Sequence, residues 1–399
     1  MNEIWKNENW WVSRYNFLEE TRKTFDLPDL ITFHDATLRD GEQTPGVVFT
    51  IEEKIKIASM LDEVGVQRIE AGMPAVSEDD RESIRLIKKQ NLNAEIFSFV
   101  RAKEEDIAVC SDIGVDGVLI EVPIGKPKLE LQFKWDIERV IDESIKAIQS
   151  ARKKGLYVVY FPYDTTRADP DDIEKLISAI MTQSPPDSIG VVDTMGCALP
   201  TTIDYLVKLF REMTNLPIEI HTHNDFGLAV ANTLQGVLSG ASVVHCCVNG
   251  IGERTGNCAL EEIAAVLQLL LGINTGINIP NLLEISQFIE DTSQCKLANN
   301  KPIVGRSNFI RESGIGADAL INTPLAMFAI NPAYLNSAPT LVMGKKSGLM
   351  SIKMKLAQLG LKIEDDKKAM LLEQVKMLGI KKKRYLTDEE FVQLVMKIK

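Results

Sequence analysis

The sequence contains no C-x-x-C pair, no apolar run long enough to cross a bilayer, and no low-complexity tract or repeat beyond a strand–helix rhythm. The missing Cys pairs exclude a zinc ribbon and a thioredoxin-type motif. The six cysteines (Cys110, Cys197, Cys246, Cys247, Cys258 and Cys295) stand mostly in apolar contexts, where Cys behaves as a small buried hydrophobe. That usage fits a reducing compartment, the cytoplasm. The first residues, Met1 to Trp11, mix acids with aromatics and have no apolar core, so they are no signal peptide; a membrane partner is not expected either. Positive charge is in deficit, with 45 Lys and Arg against 56 Asp and Glu and a net charge of −11. This argues against a nucleic-acid partner. A small anionic substrate needs a local positive site against that field.

What is present is an ordinary globular composition, 45% hydrophobic and 25% charged over 399 residues. The length accommodates one domain of roughly 250 residues and a smaller one of about 100. Residues 1–29 are polar with aromatic punctuation and read as an arm that packs on the main domain or on a second subunit. From Leu30 short β-branched runs alternate with amphipathic segments. The runs are Leu30–His34, Gln67–Ala71, Ala94–Phe99, Gly117–Val122, Leu156–Phe161, Ser188–Asp193, Pro217–His223 and Ser242–Val248. Eight strands, each followed by a helical pattern and nearly all ending in polar residues, predict an α/β fold: a (β/α)8 TIM barrel over 30–275. A doubly wound open sheet gives the same alternation, but the count of eight favours closure. Residues 276–399 change character. A helix over Pro280–Glu290 leads into a Gly- and Pro-rich stretch to Gly348 and then three more helical patterns, which predicts a linker and a small, mainly helical C-terminal subdomain.

Ile220-His221-Thr222-His223-Asn224-Asp225 follows a buried-strand pattern and precedes a helix start. Two histidines at i and i+2 of a strand face the same way, and neutral imidazole is a good ligand for first-row divalent ions. In barrel enzymes the active site gathers at the C-terminal strand ends. Those ends supply Asp35, Thr37, Arg39, Asp40, Glu42 and Gln43 from the first, Glu70 from the second, Arg101 from the third and Glu121 from the fourth. Tyr163, Asp164 and Arg167 follow the fifth strand, and Asp193 and Thr194 the sixth. The Gly-rich stretch 250–256 then reads as a loop that delivers Asn257. Carboxylate, two imidazoles and an amide oxygen suit a five- or six-coordinate Mg, Mn or Zn ion with room for substrate oxygens. Such an ion chelates and polarises a 2-oxo acid, Arg39 stabilises the alkoxide that develops, and Arg101 and Thr194 hold the substrate carboxylate.

Asp35-Ala36-Thr37-Leu38-Arg39-Asp40-Gly41-Glu42-Gln43 resembles the D-x-T-L-R-[DE]-G-E-Q signature of the DRE-TIM metallolyases. His221–Asp225, Gly250–Asn257 and Asp193-Thr194-Met195-Gly196 resemble three further signatures. The resemblance spans roughly residues 30 to 365 and is strongest to the isopropylmalate, homocitrate and citramalate synthases. It implies a barrel with a helical subdomain and a divalent metal held by Asp40, His221, His223 and Asn257. It implies Arg39, with Glu42 beside it, in catalysis, and Gln43, Arg101 and Thr194 on the substrate. It further implies condensation of an acyl-CoA, acetyl-CoA first, with a 2-oxo acid, in a homodimer whose subdomains reach over the partner's barrel. The regulatory domain of isopropylmalate synthases is expected to be absent.

The departures concern proton transfer. The subdomain motif F-x-H-E-S-G-I-H reads Phe309-Ile310-Arg311-Glu312-Ser313-Gly314-Ile315-Gly316, without either histidine. The later G-K-H-S-G reads Gly344-Lys345-Lys346-Ser347-Gly348, and Tyr163 stands where a glutamate is usual. Tyr163 or Lys346 is the expected replacement base, given a suitably lowered pKa. A carbon–carbon lyase of the same superfamily is the alternative, and a catalytically silent metal-binding relative the second alternative.

Overall fold

The computed structural model of the chain describes residues 3–314 and 316–398. Eight parallel strands close into a barrel in sequence order: β1 (Thr32–Asp35), β2 (Arg68–Glu70), β3 (Glu95–Arg101), β4 (Gly117–Pro123), β5 (Tyr157–Tyr163), β6 (Ser188–Asp193), β7 (Ile218–Thr222) and β8 (Val243–Cys246). Closure is made by β8 on β1, with Thr32 opposite Val243 and Asp35 opposite Cys246. The expected (β/α)8 barrel is therefore present, its strand ends displaced by a few residues.

Helices α1 (Glu19–Arg22), α2 (Ile51–Val64), α3 (Glu78–Lys88), α4 (Glu104–Ile113), α5 (Ile137–Lys153), α6 (Pro170–Gln183), α7 (Pro200–Met213), α8 (Ala229–Leu238), α9 (Leu260–Ala265) and α10 (Leu282–Ser293) accompany the strands. Their starts are written locally. Thr50 caps α2 through a reciprocal pair: Glu53 N–H donates to Thr50 Oγ1 (3.2 Å) and Thr50 N–H donates to Glu53 Oε2 (2.8 Å). Asp169 precedes Pro170 at α6, with proline in the first turn where its missing N–H costs nothing. Every residue of β6 and β7 is buried, as a parallel sheet covered on its outer face and packed within requires.

Alternation along the strands puts Glu219, His221 and His223 on one face. Arg68 and Glu70 share a face of β2, and Leu119 and Glu121 a face of β4. The lower level of the barrel is an unusual polar layer. His34 stacks on His245 with centroids 4.2 Å apart. His245 Nε2 lies 2.6 Å from Glu219 Oε2, and Glu219 Oε1 accepts from Ser188 Oγ (2.6 Å) and Arg68 Nη1 (3.1 Å). Burial would raise the Glu219 pKa, but the His245 contact and neighbouring cations bring it to about 2.

The chain divides into two compact units, Tyr15–Leu297 and Met1–Arg14 with Ala298–Lys399. These bounds differ from those expected at 29 and 275. Residues from Tyr15 belong with the barrel unit, where Arg22 Nη2 donates to the Leu271 carbonyl (2.6 Å). Helix α10 belongs there too, because Asn249 Nδ2 donates to the Ser286 carbonyl (2.9 Å) and Ser286 Oγ bonds Asn249 Oδ1 (2.5 Å). Within the other unit, Trp11 N–H donates to the Ala329 carbonyl (2.9 Å) and Asn331 N–H to the Asn9 carbonyl (2.8 Å). The short strands β9 (Ile310–Arg311) and β10 (Thr340–Leu341) pair in parallel there. Helices α11 (Ala317–Asn322), α12 (Leu349–Gln358), α13 (Lys367–Lys382) and α14 (Asp388–Ile398) complete it. Its core joins Ile352 and Leu356 of α12, Leu371 and Val375 of α13 and Phe391 and Val395 of α14. Among the described residues no helix is long and apolar enough to cross a membrane.

Candidate active site and metal centre

At the C-terminal mouth of the barrel, Asp40, His221 and His223 bring one ligand atom each to within 4.8 Å of one another. His221 Nε2 lies 3.4 Å and His223 Nε2 3.7 Å from Asp40 Oδ2, and the two imidazole nitrogens are 3.3 Å apart. All three residues are buried. Burial lowers the pKa of His221, and that of His223 to about 4, against the opposing pull of Asp40. Burial works against the Asp40 carboxylate, yet Arg39 and the two imidazoles hold it well below the usual range. The group is thus one anion and two neutral nitrogens.

Asn257 arrives from the loop after β8, as expected. Its Nδ2 donates to the Ile251 carbonyl (3.2 Å), while its Oδ1, like Asp40 Oδ1, is buried with no hydrogen-bond partner. The chain conformation enforces this closeness. A Cβ on Gly252 would sit 2.1 Å from Asn257 Nδ2 and 3.2 Å from Asp40 Oδ1, at a φ of +155°. Two neutral imidazoles, a buried carboxylate and an orphaned amide oxygen fit a divalent cation.

A cavity of about 250 Å³ opens on these ligands, lined also by Arg39, Gln43, Glu121, Tyr163 and Thr194. Arg39 is anchored from two sides, Nε to Glu70 Oε1 (2.7 Å) and Nη1 to Asp40 Oδ2 (3.0 Å). Its guanidinium lies 4.7 Å from the Phe99 ring centroid. Burial would discharge it, but Glu70 and Asp40 outweigh burial and raise its pKa. Thr194 Oγ1 accepts from the Asp164 N–H (2.7 Å).

Arg101, Glu42 and Tyr163 meet surroundings other than those expected, and Lys346 lies in the second unit. Arg101 turns to the rim, half exposed, with Nε on Asp106 Oδ2 (2.7 Å) and Nη2 on Oδ1 (2.9 Å), because Asp106 in the first turn of α4 presents a complete carboxylate to it. It is not among the residues that line the cavity. Glu42 is consumed in loop structure, 2.6 Å from Lys54 Nζ and accepting from the Phe49 N–H (2.9 Å). Tyr163 lines the cavity, but burial, Glu121 and Asp164 all push its phenol up, the opposite of the lowering that a base requires. Lys346 belongs to the other unit, exposed, its N–H donating to Glu312 Oε1 (2.8 Å).

In that unit the two altered motifs form one local structure. A Cβ on Gly314 would meet Gly348 Cα at 2.9 Å, and one on Gly344 would meet Glu312 Oε1 at 2.6 Å. Gly316, in place of the histidine, has φ +72°, a conformation that glycine adopts freely.

Sequence reasoning gives no role to Glu70 and Glu121, although both stand at expected strand ends. Glu70 positions Arg39. Burial pushes Glu121 up to about 7, with Arg39 opposing and Asp40 and Glu70 adding. Strand alternation was the available signal for both.

Residues 30–289 match the HMGL-like family, and residues 303–383 match the homocitrate synthase post-HMGL domain-like family. A homocitrate synthase AksA of Methanothermobacter thermautotrophicus is 37% identical over 98% of both chains. An (R)-citramalate synthase CimA of Methanocaldococcus jannaschii is 38% identical over 92% of this chain and 75% of its own. A 2-isopropylmalate synthase from the same organism is 37% identical over 98% and 75%. Among solved structures, the hydroxymethylglutaryl-CoA lyase of Pseudomonas aeruginosa superposes with a TM-score of 0.62 at 18% identity, covering 69% of this chain and 97% of that one, a likeness of fold. The chain belongs to the HMGL-like family, the DRE-TIM metallolyases, and carries the homocitrate-synthase-type domain after its barrel.

Proposed function

We propose that this chain is a divalent-metal-dependent acyltransferase that condenses acetyl-CoA, or a related acyl-CoA, with a 2-oxo acid. The α-carbon of the acyl group bonds to the ketone carbon, and hydrolysis of the thioester releases CoA and a 2-hydroxy-2-alkyl dicarboxylate or tricarboxylate. The observation that carries the reading is the convergence of Asp40, His221 and His223 on a cavity shared with Arg39. The synthase names of relatives matched over nearly all of this chain support it.

Asp40, His221 and His223 would hold the ion, with Asn257 Oδ1 beside them; Mg, Mn and Zn all suit this donor set. When bound, the ion supplies Lewis-acid polarisation of the ketone. Arg39 presents its remaining N–H groups to the oxygen on which charge develops, and its two anchors fix it before the reaction begins. Thr194 and Gln43 orient the substrate carboxylate. Tyr163 keeps its proton and donates a hydrogen bond into the cavity. Lys346 is proposed as a proton acceptor, which Lys346→Ala tests through the rate of CoA release. The protein is further proposed to work in the cytoplasm as a homodimer, which light scattering with and without residues 1–29 checks.

The test is CoA release with divalent metal, acetyl-CoA and a panel of 2-oxo acids. Release that depends on one class of 2-oxo acid and stops on chelation is expected. Cleavage of a hydroxy acid without CoA release would establish the lyase reading, and activity indifferent to chelation would overturn the metal-dependent mechanism.

A further inference from the structure

The metal ligands enter the mouth from β1, β7 and the loop after β8. In a closed barrel of eight strands taken in order, β4 stands across from β8. A 2-oxo acid whose carboxylate and ketone face the ligands therefore extends its side chain towards β3, β4 and β5. That wall carries Phe99 on β3 and Phe161 on β5, two aromatic surfaces suited to an alkyl chain. Between them, in register with Phe161, stands Glu121.

Glu121 is partly buried and lines the cavity. Among the described residues its carboxylate has no hydrogen-bond donor and no cation at ion-pair distance; Arg39 and Lys128 act on it only through space. Lys128 donates instead to Gln132 Oε1 (3.2 Å). A carboxylate taken partly out of water without a donor is costly. An alkyl side chain seated against it would complete that loss, whereas a ligand that brings a donor repairs it. An ammonium group is disfavoured by Arg39 and Lys128 on the same cavity, and a second carboxylate by Glu121 itself. The geometry points to Glu121 as the specificity residue of the condensation, selecting a 2-oxo acid whose side chain ends in a hydroxyl or carboxamide donor. This rests on the condensing-enzyme reading and narrows its substrate class.

Two measurements on the metal-loaded full-length protein test it. Calorimetric binding compares 2-oxobutyrate, 4-hydroxy-2-oxobutyrate, 2-oxoglutarate and 2-oxoglutaramate, and CoA release with acetyl-CoA follows the same four acids. The hydroxyl and carboxamide acids are expected to bind at least about tenfold more tightly than 2-oxobutyrate, the scale of one hydrogen bond to a charged group. Glu121→Leu should remove that preference, and Glu121→Gln, closest in shape, should retain part of it with the fold intact. Tighter binding of 2-oxobutyrate or 2-oxoglutarate by the unmodified protein overturns the assignment, as does a ranking unchanged in Glu121→Leu. A donor-selective binding pattern without CoA release from any acid supports Glu121 and overturns the condensing reading alone.

Discussion

The barrel holds two buried groups of the same composition, two imidazoles and a carboxylate, one above the other along its strands. The upper is Asp40, His221 and His223, and the lower is His34, Glu219 and His245. They differ in what is left over. In the lower group both oxygens of Glu219 are taken, one by Ser188 and Arg68 and one by His245, and His34 lies flat on His245. In the upper group Asp40 Oδ1 and Asn257 Oδ1 have no partner, and a cavity leads in. A set of ligand-type residues becomes a candidate metal centre when lone pairs remain free and a path exists. The lower group keeps unpartnered nitrogens on His34 and His245, but its carboxylate is fully engaged and none of its residues lines the cavity that opens on the upper group, so it reads as structure.

The comparison breaks most decisively at Asp40. Asp40→Asn is expected to lose the metal and to lower CoA release by at least about a thousandfold, the scale of several kcal/mol of transition-state stabilisation; elemental analysis and a thiol assay check both. Glu219→Gln leaves Arg68 and His245 without their anion, and breaking a buried pair this way costs about 3–5 kcal/mol. Urea denaturation should show that loss while the metal content stays at one per chain. A second equivalent of metal, lost in His245→Ala, would reverse the assignment of the lower group.

Arg39→Met, between the two levels, should lower turnover about a hundredfold with metal retained. Glu70 gives a smaller, pH-dependent effect. Burial raises its pKa, but Arg39 and His34 bring it down to about 2 from 4.5. Its folded-state value is depressed, so its contribution is present above about pH 4.5 and is lost as pH falls towards 2. Glu70→Gln should flatten the stability profile across that window in denaturation series. Arg101→Ala should be the mildest change, within about twofold in turnover, since an exposed ion pair contributes little; a large loss would return Arg101 to the substrate.

The barrel and its metal ligands were legible because the information is local. Strand rhythm, two histidines at i and i+2 and an acid directly after Arg39 need no knowledge of distant contacts. What escaped depends on which partner each side chain meets in the folded chain. Glu219 and His245 come from different strands, and nothing near either in sequence announces the other. Arg101 stands at a strand end like its neighbours, but Asp106, five residues on, pulls it to the rim. Tyr163 has the position of a proton acceptor, yet burial, with the carboxylates around it, one from β4, raises its phenol. The boundary at Leu297 was hidden for the same reason: α10 joins the barrel unit through Asn249, a residue of another loop.

The two-part composition of the second unit also constrains the order of assembly. Trp11 and Asn9 bond to Ala329 and Asn331, and the whole barrel unit, Tyr15–Leu297, lies between them in the chain. A ribosome adding about 5–20 residues per second takes roughly 15–60 s to cover that interval. Throughout it the opening segment, with Trp5, Trp10 and Trp11, is already made and still lacks its mates. The barrel can complete itself on the nascent chain, but the unit that frames it in sequence can close only afterwards. Slowing translation within the barrel would therefore prolong the time that Trp5, Trp10 and Trp11 spend without their partners, without touching a single contact of the finished protein.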